Sequence, residues 1–401
     1  MSLVKPFSAF YYNPKKFKNL SPLITPPYDV IREKEKGILR KKSKYNFSHI
    51  LLVDKNENYK LLGRRFNDWI KKEIFVQDIR PHFYLYEQKF NFQGKILRRV
   101  GFLCLLKLDK KETVFPHETT LRAPKKDRWY ILKETKANLS PIFVVSYKKL
   151  KTLQNLYLFY TRKKPFIEFK NLEGVTHRLW KVEEKNLEVD LSREIEKSKL
   201  FIADGHHRFE VAYRYFKLNG TRFKEANYIL AYLTDPSTSL IILPTHRVVE
   251  LEEELEEVLK KLSSQFLIRC TNQRELLTYL KKGRLFSFGI YTNGLFYFLK
   301  LKNKKILDKI FKNKEERNYQ KLDVYIFHKL VLKKFKVKEI LYTHYLKELK
   351  KIAGSSKIGF ILRSPSLETV FSFASRGYLL PQKSTYFYPK LPSGLVIRRI
   401  S

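Results

Sequence analysis

The sequence predicts a mixed α/β (α+β) fold, and three observations carry that expectation. Between Leu200 and Thr245, apolar β-branched runs and a helical repeat follow one another as strand, turn, helix, strand and strand. Two other stretches, FYLYEQKF (83–90) with RRVGFLCLLKL (98–108), and FSFGIYTNGLFYFLKL (286–301), pattern as strand pairs joined by turns at Gly94 and Asn293-Gly294. Helices with one apolar stripe lie between them, such as LEEELEEVLKKLSSQF (251–266), whose acids come first and lysines later, as a helix dipole favours.

The elements follow in order. Prolines in SPLITPPYDVI (21–31) push their preceding residues out of the helical region, so this segment is expected to be extended. Leu61, Leu62, Phe66, Trp69 and Ile70 recur at helical spacing and predict a helix over 61–72. After the first strand pair comes the polar stretch VFPHETTLRAPKKDRW (114–129), then helical signals from Asp127 to Ala137, then PIFVVSY (141–147) as a buried strand. Residues 148–170 are basic and aromatic with little period. Further helices are expected around 319–334 and 343–353, with a strand at KIGFILR (357–363) before the tail PQKSTYFYPKLPSG (381–394). Seams near Lys148 and Val249 divide the chain into three segments, an N-terminal α/β lobe (1–148), a core segment (149–249) and a C-terminal α/β lobe packed on that core (250–401).

Composition bounds the function. With 43% hydrophobic residues over 401 positions and only 14 Gly and 16 Pro, the chain supports sizeable cores and excludes a disordered or repeat architecture. The 81 Lys and Arg against 40 Asp and Glu give a net charge of +41, which points to an anionic partner. The lysines are scattered as pairs such as Lys71-Lys72 and Lys304-Lys305, a spread that also fits a solvated, heat-adapted surface, as in thermophiles. Two cysteines exclude a disulfide framework and suggest a reducing compartment, so the cytoplasm is the expected location. The longest apolar runs, such as VGFLCLL (100–106), fall short of the ~20 residues that span a bilayer, so no membrane partner is expected.

The stretch FIADGHHRFE (201–210) carries the sharpest chemical signal. A helix that opens directly after a strand leaves its first amides without partners, and these amides with the helix dipole form an anion site. Gly205 permits a tight turn, and Asp204 is a good N-cap by residue type. His206, His207 and Arg208 surround the opening turn, where Arg208 offers a fork suited to phosphate oxygens. His206 and His207 are neighbours about 100° apart on a helix and lack the i,i+4 spacing of paired zinc ligands. A plain capped turn, with one histidine packed in the core and the arginine paired to an acid, is the alternative reading.

DGHHR followed by F-E-x-A resembles the turn of the ParB/sulfiredoxin-type superfamily, whose members use G-x-x-R at a helix start to grip nucleotide phosphates, and whose free-serine kinases carry D-G-H-x-R. The whole chain is similar to a prokaryotic family of domains of unknown function, DUF1015. That similarity rests on PFSAF (6–10), PPYDVI (26–31), YLYEQ (84–88), HETT (117–120), KKDR (125–128), DGHHR (204–208), LPTHR (243–247), KLDV (321–324) and PQKSTYFYPKLPSGL (381–395). The resemblance implies a ParB/sulfiredoxin-like mixed core, 149–249, with additional α/β lobes. It also implies a nucleotide-dependent phosphotransferase using ATP or ADP with Mg²⁺, and a free amino acid such as L-serine as acceptor.

Such chemistry needs a phosphate clamp and a carboxylate that takes the acceptor's proton. Gly205, His206, His207 and Arg208 are the clamp candidates, joined by Lys383, Ser384 and Thr385 of the tail, where Tyr386, Phe387 and Tyr388 offer stacking surfaces. Glu118 is the first candidate base and Asp29 the next, with Asp204 as a magnesium ligand or orienter and His206 as a further catalytic candidate. Tyr28, His117 and Arg128 are the substrate-contact candidates from the motifs above, and His246 and Arg247, ending an apolar run, join them as residues at a strand terminus. Two rivals remain: a ParB-like nucleotide-binding protein that binds nucleic acid, favoured by +41 and by KKLKTLQNLYLFYTRKK (148–164), and a phosphatase acting on phosphoserine with the same clamp.

Overall fold

The computed structural model describes residues 2–54, 57–108, 113–282, 286–311, 317, 319, 322–354 and 356–400. The fold is mixed α/β, as expected, and the chain forms two compact units. The first comprises Met1–Ile241, Phe373–Tyr378 and Phe387–Ser401; the second comprises Ile242–Ser372 and Leu379–Tyr386. The seam expected near Lys148 falls instead within one continuous sheet of the first unit, and the region expected to lack period contains a helix, Lys151–Tyr160. Leu153, Leu156 and Tyr160 are its buried stripe, a spacing that the exposed apolar Leu158 and Phe159 obscure in the sequence.

The first unit is built on a nine-stranded mixed sheet. Its strands are β1 (Val4–Lys5), β2 (Tyr84–Phe92), β3 (Lys95–Lys107), β4 (Val114–Phe115), β5 (Ile142–Ser146), β6 (Ile167–Lys170), β7 (Thr176–Lys181), β8 (Leu200–Asp204) and β9 (Tyr228–Thr234). They lie in the order β4-β8-β5-β9-β3-β2-β7-β6, with β1 paired to β3. β4 runs parallel to β8, and β5 parallel to β9; the other pairs are antiparallel. The β2–β3 hairpin turns at Gln93-Gly94, both with positive φ (53° and 81°), the geometry that matches strand twist in a two-residue loop.

Side-chain alternation gives this sheet two distinct faces. One face, with Leu85, Val100, Phe102, Cys104, Ile142, Val144, Ile202, Ala231 and Leu233, is an apolar core. It is covered by helices α4 (Lys151–Tyr160), α5 (Lys185–Glu196) and α6 (His206–Asn219), which contribute residues such as Leu156, Ile195 and Phe209. Earlier in the chain come α1 (Glu33–Lys42), α2 (Tyr59–Lys71) and α3 (Arg122–Thr135), the last beginning before the expected Asp127. The other face presents Tyr86, Gln88, Arg99, Phe143 and Tyr232, all buried yet largely polar or aromatic. The tail from Phe387 onward lies on this second face: Phe387 packs on Phe143 at 5.5 Å and Tyr388 on Phe90 at 5.6 Å between ring centroids.

The second unit has a six-stranded antiparallel sheet of β10 (His246–Leu251), β11 (Phe266–Thr271), β12 (Ser287–Thr292), β13 (Leu295–Leu301), β14 (Val337–Thr343) and β15 (Lys357–Ile361), ordered β11-β13-β12-β15-β10-β14. The β12–β13 turn is Asn293-Gly294, as expected from the sequence, with φ of 45° and 83°. Apolar residues cover both faces of the sheet. Phe288, Ile290, Phe327 and Phe360 belong to one cluster, and Leu276, Leu280 and Leu349 to the other. Lys321 of the KLDV motif lies outside the described residues.

Candidate functional site

A β-bulge creates the centre of the candidate site. Along β8 the register with β5 runs Phe201↔Val145, Ile202↔Val144 and then Asp204↔Phe143, so one extra residue is inserted between Ile202 and Asp204. Regular alternation would aim Asp204 into the same apolar core as Ile202; the bulge turns it to the polar face, beside Phe143. Gly205 follows at φ 94° in the left-handed region. A Cβ there would stand 2.9 Å from the Ile142 Cγ2 and 3.0 Å from the Arg208 Nη2, so both backbone conformation and space require glycine.

Gly205 is the N-cap of α6, and no side chain caps the helix. The expectation that Asp204 caps it is therefore corrected: its carboxylate faces two cations instead. Arg208 donates from Nη2 to Asp204 Oδ2 at 2.7 Å, and the Lys390 ammonium bonds the other oxygen. Burial alone would raise the Asp204 carboxyl, but Lys390 and then Arg208 outweigh it and hold the carboxyl well below the usual carboxylate range. Lys390 shows the reciprocal effect: burial opposes its charge, yet Asp204, with Asp29 and Glu118 as further acids, keeps its pKa above the ordinary lysine value. Asp204, Lys390, Asp29 and Glu118 thus form one electrostatic group.

Lys390 is a site residue that the sequence reading missed. It comes 186 positions after Asp204 and is fixed by its own backbone. Gln88 donates from Nε2 to the Lys390 carbonyl at 3.1 Å, Arg99 donates to the Tyr388 carbonyl at 3.3 Å and also to that of Pro389, and Arg99 Nε bonds Gln88 Oε1 at 3.1 Å. Three consecutive tail carbonyls are therefore held by one buried Arg–Gln pair, with the guanidinium 4.6 Å over the Phe143 ring. The sequence signal available was slight: a lone lysine between Pro389 and Leu391 in an otherwise aromatic stretch.

Around the turn, both histidines bind the HETT loop. The His117 amide donates to His206 Nε2 at 3.2 Å, and the Leu121 amide donates to His207 Nε2 at 2.9 Å. His117 itself is fully buried and its Nδ1–H donates to the Ile202 carbonyl at 2.7 Å. Burial pushes His117 down to about 4, and burial together with His117 pushes His206 well below the ordinary histidine value, so both are neutral near pH 7. Arg208 also donates to the Pro141 carbonyl, and its buried Nε has no partner among the described residues. Arg128 lies 4.0 Å over the Tyr28 ring and bonds Asp127 Oδ2 at 2.8 Å; burial, ahead of the neighbouring Asp29, raises the Tyr28 phenol to about 12. The Tyr28 phenol also feels Arg208 and Asp204, which brings PPYDV, KKDR and DGHHR to one place, and the His117 amide on His206 adds HETT.

α3 and α6 run side by side in the same direction: Leu121 meets His207, Lys125 pairs with Glu210 at 3.0 Å, and Trp129 approaches Tyr215 at 6.1 Å. Neither helix has a side-chain N-cap and neither carries an acid in its first turn. Two positive helix ends are thus placed together with cationic side chains around them, an arrangement that an anion stabilises.

The remaining candidates, His246, Arg247, Lys383, Ser384 and Thr385, lie in the second unit. There Arg247 is buried and donates to the Lys383 carbonyl at 3.4 Å, His246 Nδ1 accepts from the Leu362 amide at 3.3 Å, and burial pushes His246 down to about 4. The Ser384 hydroxyl donates to the Pro381 carbonyl. Tyr386 packs on His344 at 3.7 Å between ring centroids.

The magnesium role expected of Asp204 does not fit its surroundings, since each carboxylate oxygen already accepts from a cationic side chain. Among the described residues no cluster of three or more His, Cys, Asp or Glu is placed to hold a metal ion. Among the described residues, too, no helix is long and apolar enough to cross a membrane.

Three of the solved structures to which the chain is similar are as follows. One is a free serine kinase in complex with AMP, 14% identical, covering 75% of this chain and 91% of that one with a TM-score of 0.37. A second is a conserved hypothetical protein from Pyrococcus furiosus, 15% identical, covering 73% and 93% with a TM-score of 0.35. The third is SbnI with C-terminal truncation from Staphylococcus aureus, 11% identical, covering 75% and 83% with a TM-score of 0.37. All three likenesses are distant. No curated protein matches the chain. A family model does: residues 4–325 match the protein family of unknown function DUF1015, and the chain belongs to that family.

Proposed function

We propose that the protein is a nucleotide-dependent phosphotransferase that uses ATP or ADP to phosphorylate a free amino acid such as L-serine, with the reacting phosphate held at the N-terminus of α6. The observation that carries this reading is the pair of uncapped, parallel helix ends, whose free amides suit phosphate oxygens, with Arg208 and Lys390 held beside them by Asp204. The resemblance of DGHHR to the phosphate turn of free-serine kinases supports it further.

In this reading the amides of 205–207 and Arg208 bind the phosphate chain. Glu118, or Asp29, takes the proton from the acceptor hydroxyl as its oxygen bonds to phosphorus. The bond from phosphorus to the departing nucleotide oxygen breaks, and that oxygen keeps the electron pair, its charge stabilised by the neighbouring cations. Asp204 serves as an orienter: it keeps Arg208 and Lys390 charged and aimed at one place. His206 and His207, each accepting a loop amide at Nε2, hold the HETT loop and so position Glu118.

Phosphorus NMR of the purified protein with ATP or ADP, Mg²⁺ and a panel of free amino acids tests the proposal, with phosphoserine as a separate substrate for the phosphatase alternative. A new phosphomonoester signal with serine, reduced at least ~100-fold in Arg208→Ala, is the expected result for a lost transition-state contact. Transfer to no amino acid, or equal turnover in wild type and Arg208→Ala, refutes it.

A further inference from the structure

Next to the proposed phosphate site, α3 and α6 enclose an open cleft of about 800 Å³ within the first unit. Its chemistry changes along its length. Arg122, Lys125 and Lys126 lie in the first turns of α3, whereas Trp129 and Tyr213 lie further along the two helices. Arg214 extends the aromatic end, its guanidinium 4.8 Å over the Trp129 ring. One acid, Glu210, lines the cleft and is occupied by Lys125 at 3.0 Å and by the Thr120 hydroxyl at 3.0 Å.

We infer that this cleft is the binding groove for the nucleotide, with the base on the Trp129 shelf and the phosphates at the Arg122–Lys126 end. The inference rests on the phosphotransferase reading for the identity of the ligand. The cationic end is the one nearest the α6 opening: Glu210 is four residues past His206, about 6 Å along a helix axis, and the Leu121 amide already bonds His207. A phosphate chain at that end therefore reaches toward the turn. A ring system fits the other end because aromatic faces and a guanidinium plane stack on bases of any identity. The cleft offers one aromatic shelf, with Arg214 stacked on it, and one cationic end on α3; a nucleic-acid strand needs such shelves repeated along a longer track, so the occupant is a single nucleotide.

The test uses the protein's own fluorescence. Of the three tryptophans, Trp69 and Trp180 are 6% and 4% exposed, while Trp129 lines the cleft. ADP added to the full chain is expected to quench tryptophan emission, and Trp129→Phe is expected to abolish the quench. Arg122→Glu with Lys126→Glu, both at exposed positions, is expected to weaken ADP binding measured by calorimetry at least ~10-fold, and the wild-type affinity is expected to fall with added salt. Unchanged melting temperatures in these variants confine the effect to binding.

ADP affinity unchanged in the charge-reversed protein, or a quench that persists in Trp129→Phe, overturns the inference. So does a single-stranded oligonucleotide that quenches Trp129 at lower concentration than ADP. If ADP binds in this charge-sensitive way but no phosphate is transferred to any amino acid, the groove stands and the phosphotransferase reading falls. If transfer proceeds with wild-type nucleotide KM in the charge-reversed protein, the groove falls alone.

Discussion

Replacing Lys390 by methionine removes the charge that faces Asp204 while keeping most of the side-chain volume. The pair is largely withdrawn from water, with side-chain exposures of 11% for Lys390 and 17% for Asp204, so the remaining carboxylate cannot recover its hydration. Breaking one partner of such a pair costs about 3–5 kcal/mol. With Arg208 still in place to share the charge, the lower end applies, about 3 kcal/mol, or a fall in melting temperature on the order of 10 °C.

The pH dependence should change as well. Asp204 is held below the usual carboxylate range, so its stabilisation is complete above the unfolded value of about 3.9 and is lost as pH falls through the folded value. Lys390 is held above its ordinary value, so its contribution is complete below about 10.4 and is lost as pH rises through the folded value. In Lys390→Met the Asp204 carboxyl rises and the acid limb of the stability profile moves to higher pH. Scanning calorimetry from pH 3 to 8, with Asp204→Asn and the double variant completing a cycle, measures both effects. A loss under about 1 kcal/mol with an unmoved acid limb would refute the assignment of Lys390 as the counter-ion of Asp204.

Three further outcomes follow from the same geometry. Gly205→Ala meets both a left-handed backbone and the Ile142 methyl, so urea titration should show a loss of about 1–3 kcal/mol. Nitrogen-detected NMR of the histidines should find His117 neutral at pH 6 with its proton on Nδ1, titrating near 4; because folding holds it neutral, stability is lost as pH falls from about 6.5 toward that value. Arg99→Lys leaves one ammonium where a planar fork spans Gln88 and two tail carbonyls, so it should lower stability by about 2 kcal/mol and expose Lys390 to amine-directed labelling; a labelling rate equal to wild type would count against the brace.

The elements that local pattern specifies were legible in the sequence. Strand, glycine turn and helix from Leu200 to Asn219 follow from a β-branched run, one residue able to take positive φ, and an apolar stripe at helical spacing. Both hairpins follow from Gly94 and Asn293-Gly294. The bulge before Asp204 was not legible, because alternation along LFIAD gives no sign that one residue is unpaired. Nor was the helix Lys151–Tyr160, whose three buried positions are disguised by the exposed Leu158 and Phe159. The pairing of Asp204 with Lys390, and of Arg99 with the tail carbonyls, depends on contacts between 186 and 290 positions apart, and local propensity carries no information over that range. Arg99 in particular reads as one more surface cation beside Arg98, yet it is fully buried.

The interleaved course of the chain also bears on how the molecule is made. Residues 387–400 belong to the first unit but are translated after the whole of the second, and they bring the second cation of Asp204 together with the strand segment Arg398–Arg399 that pairs with Ala137–Asn138. A nascent chain therefore carries its earliest-made sheet through most of synthesis with Asp204 answered by Arg208 alone. The ribosome must finish the younger unit before the older one can close around that lysine.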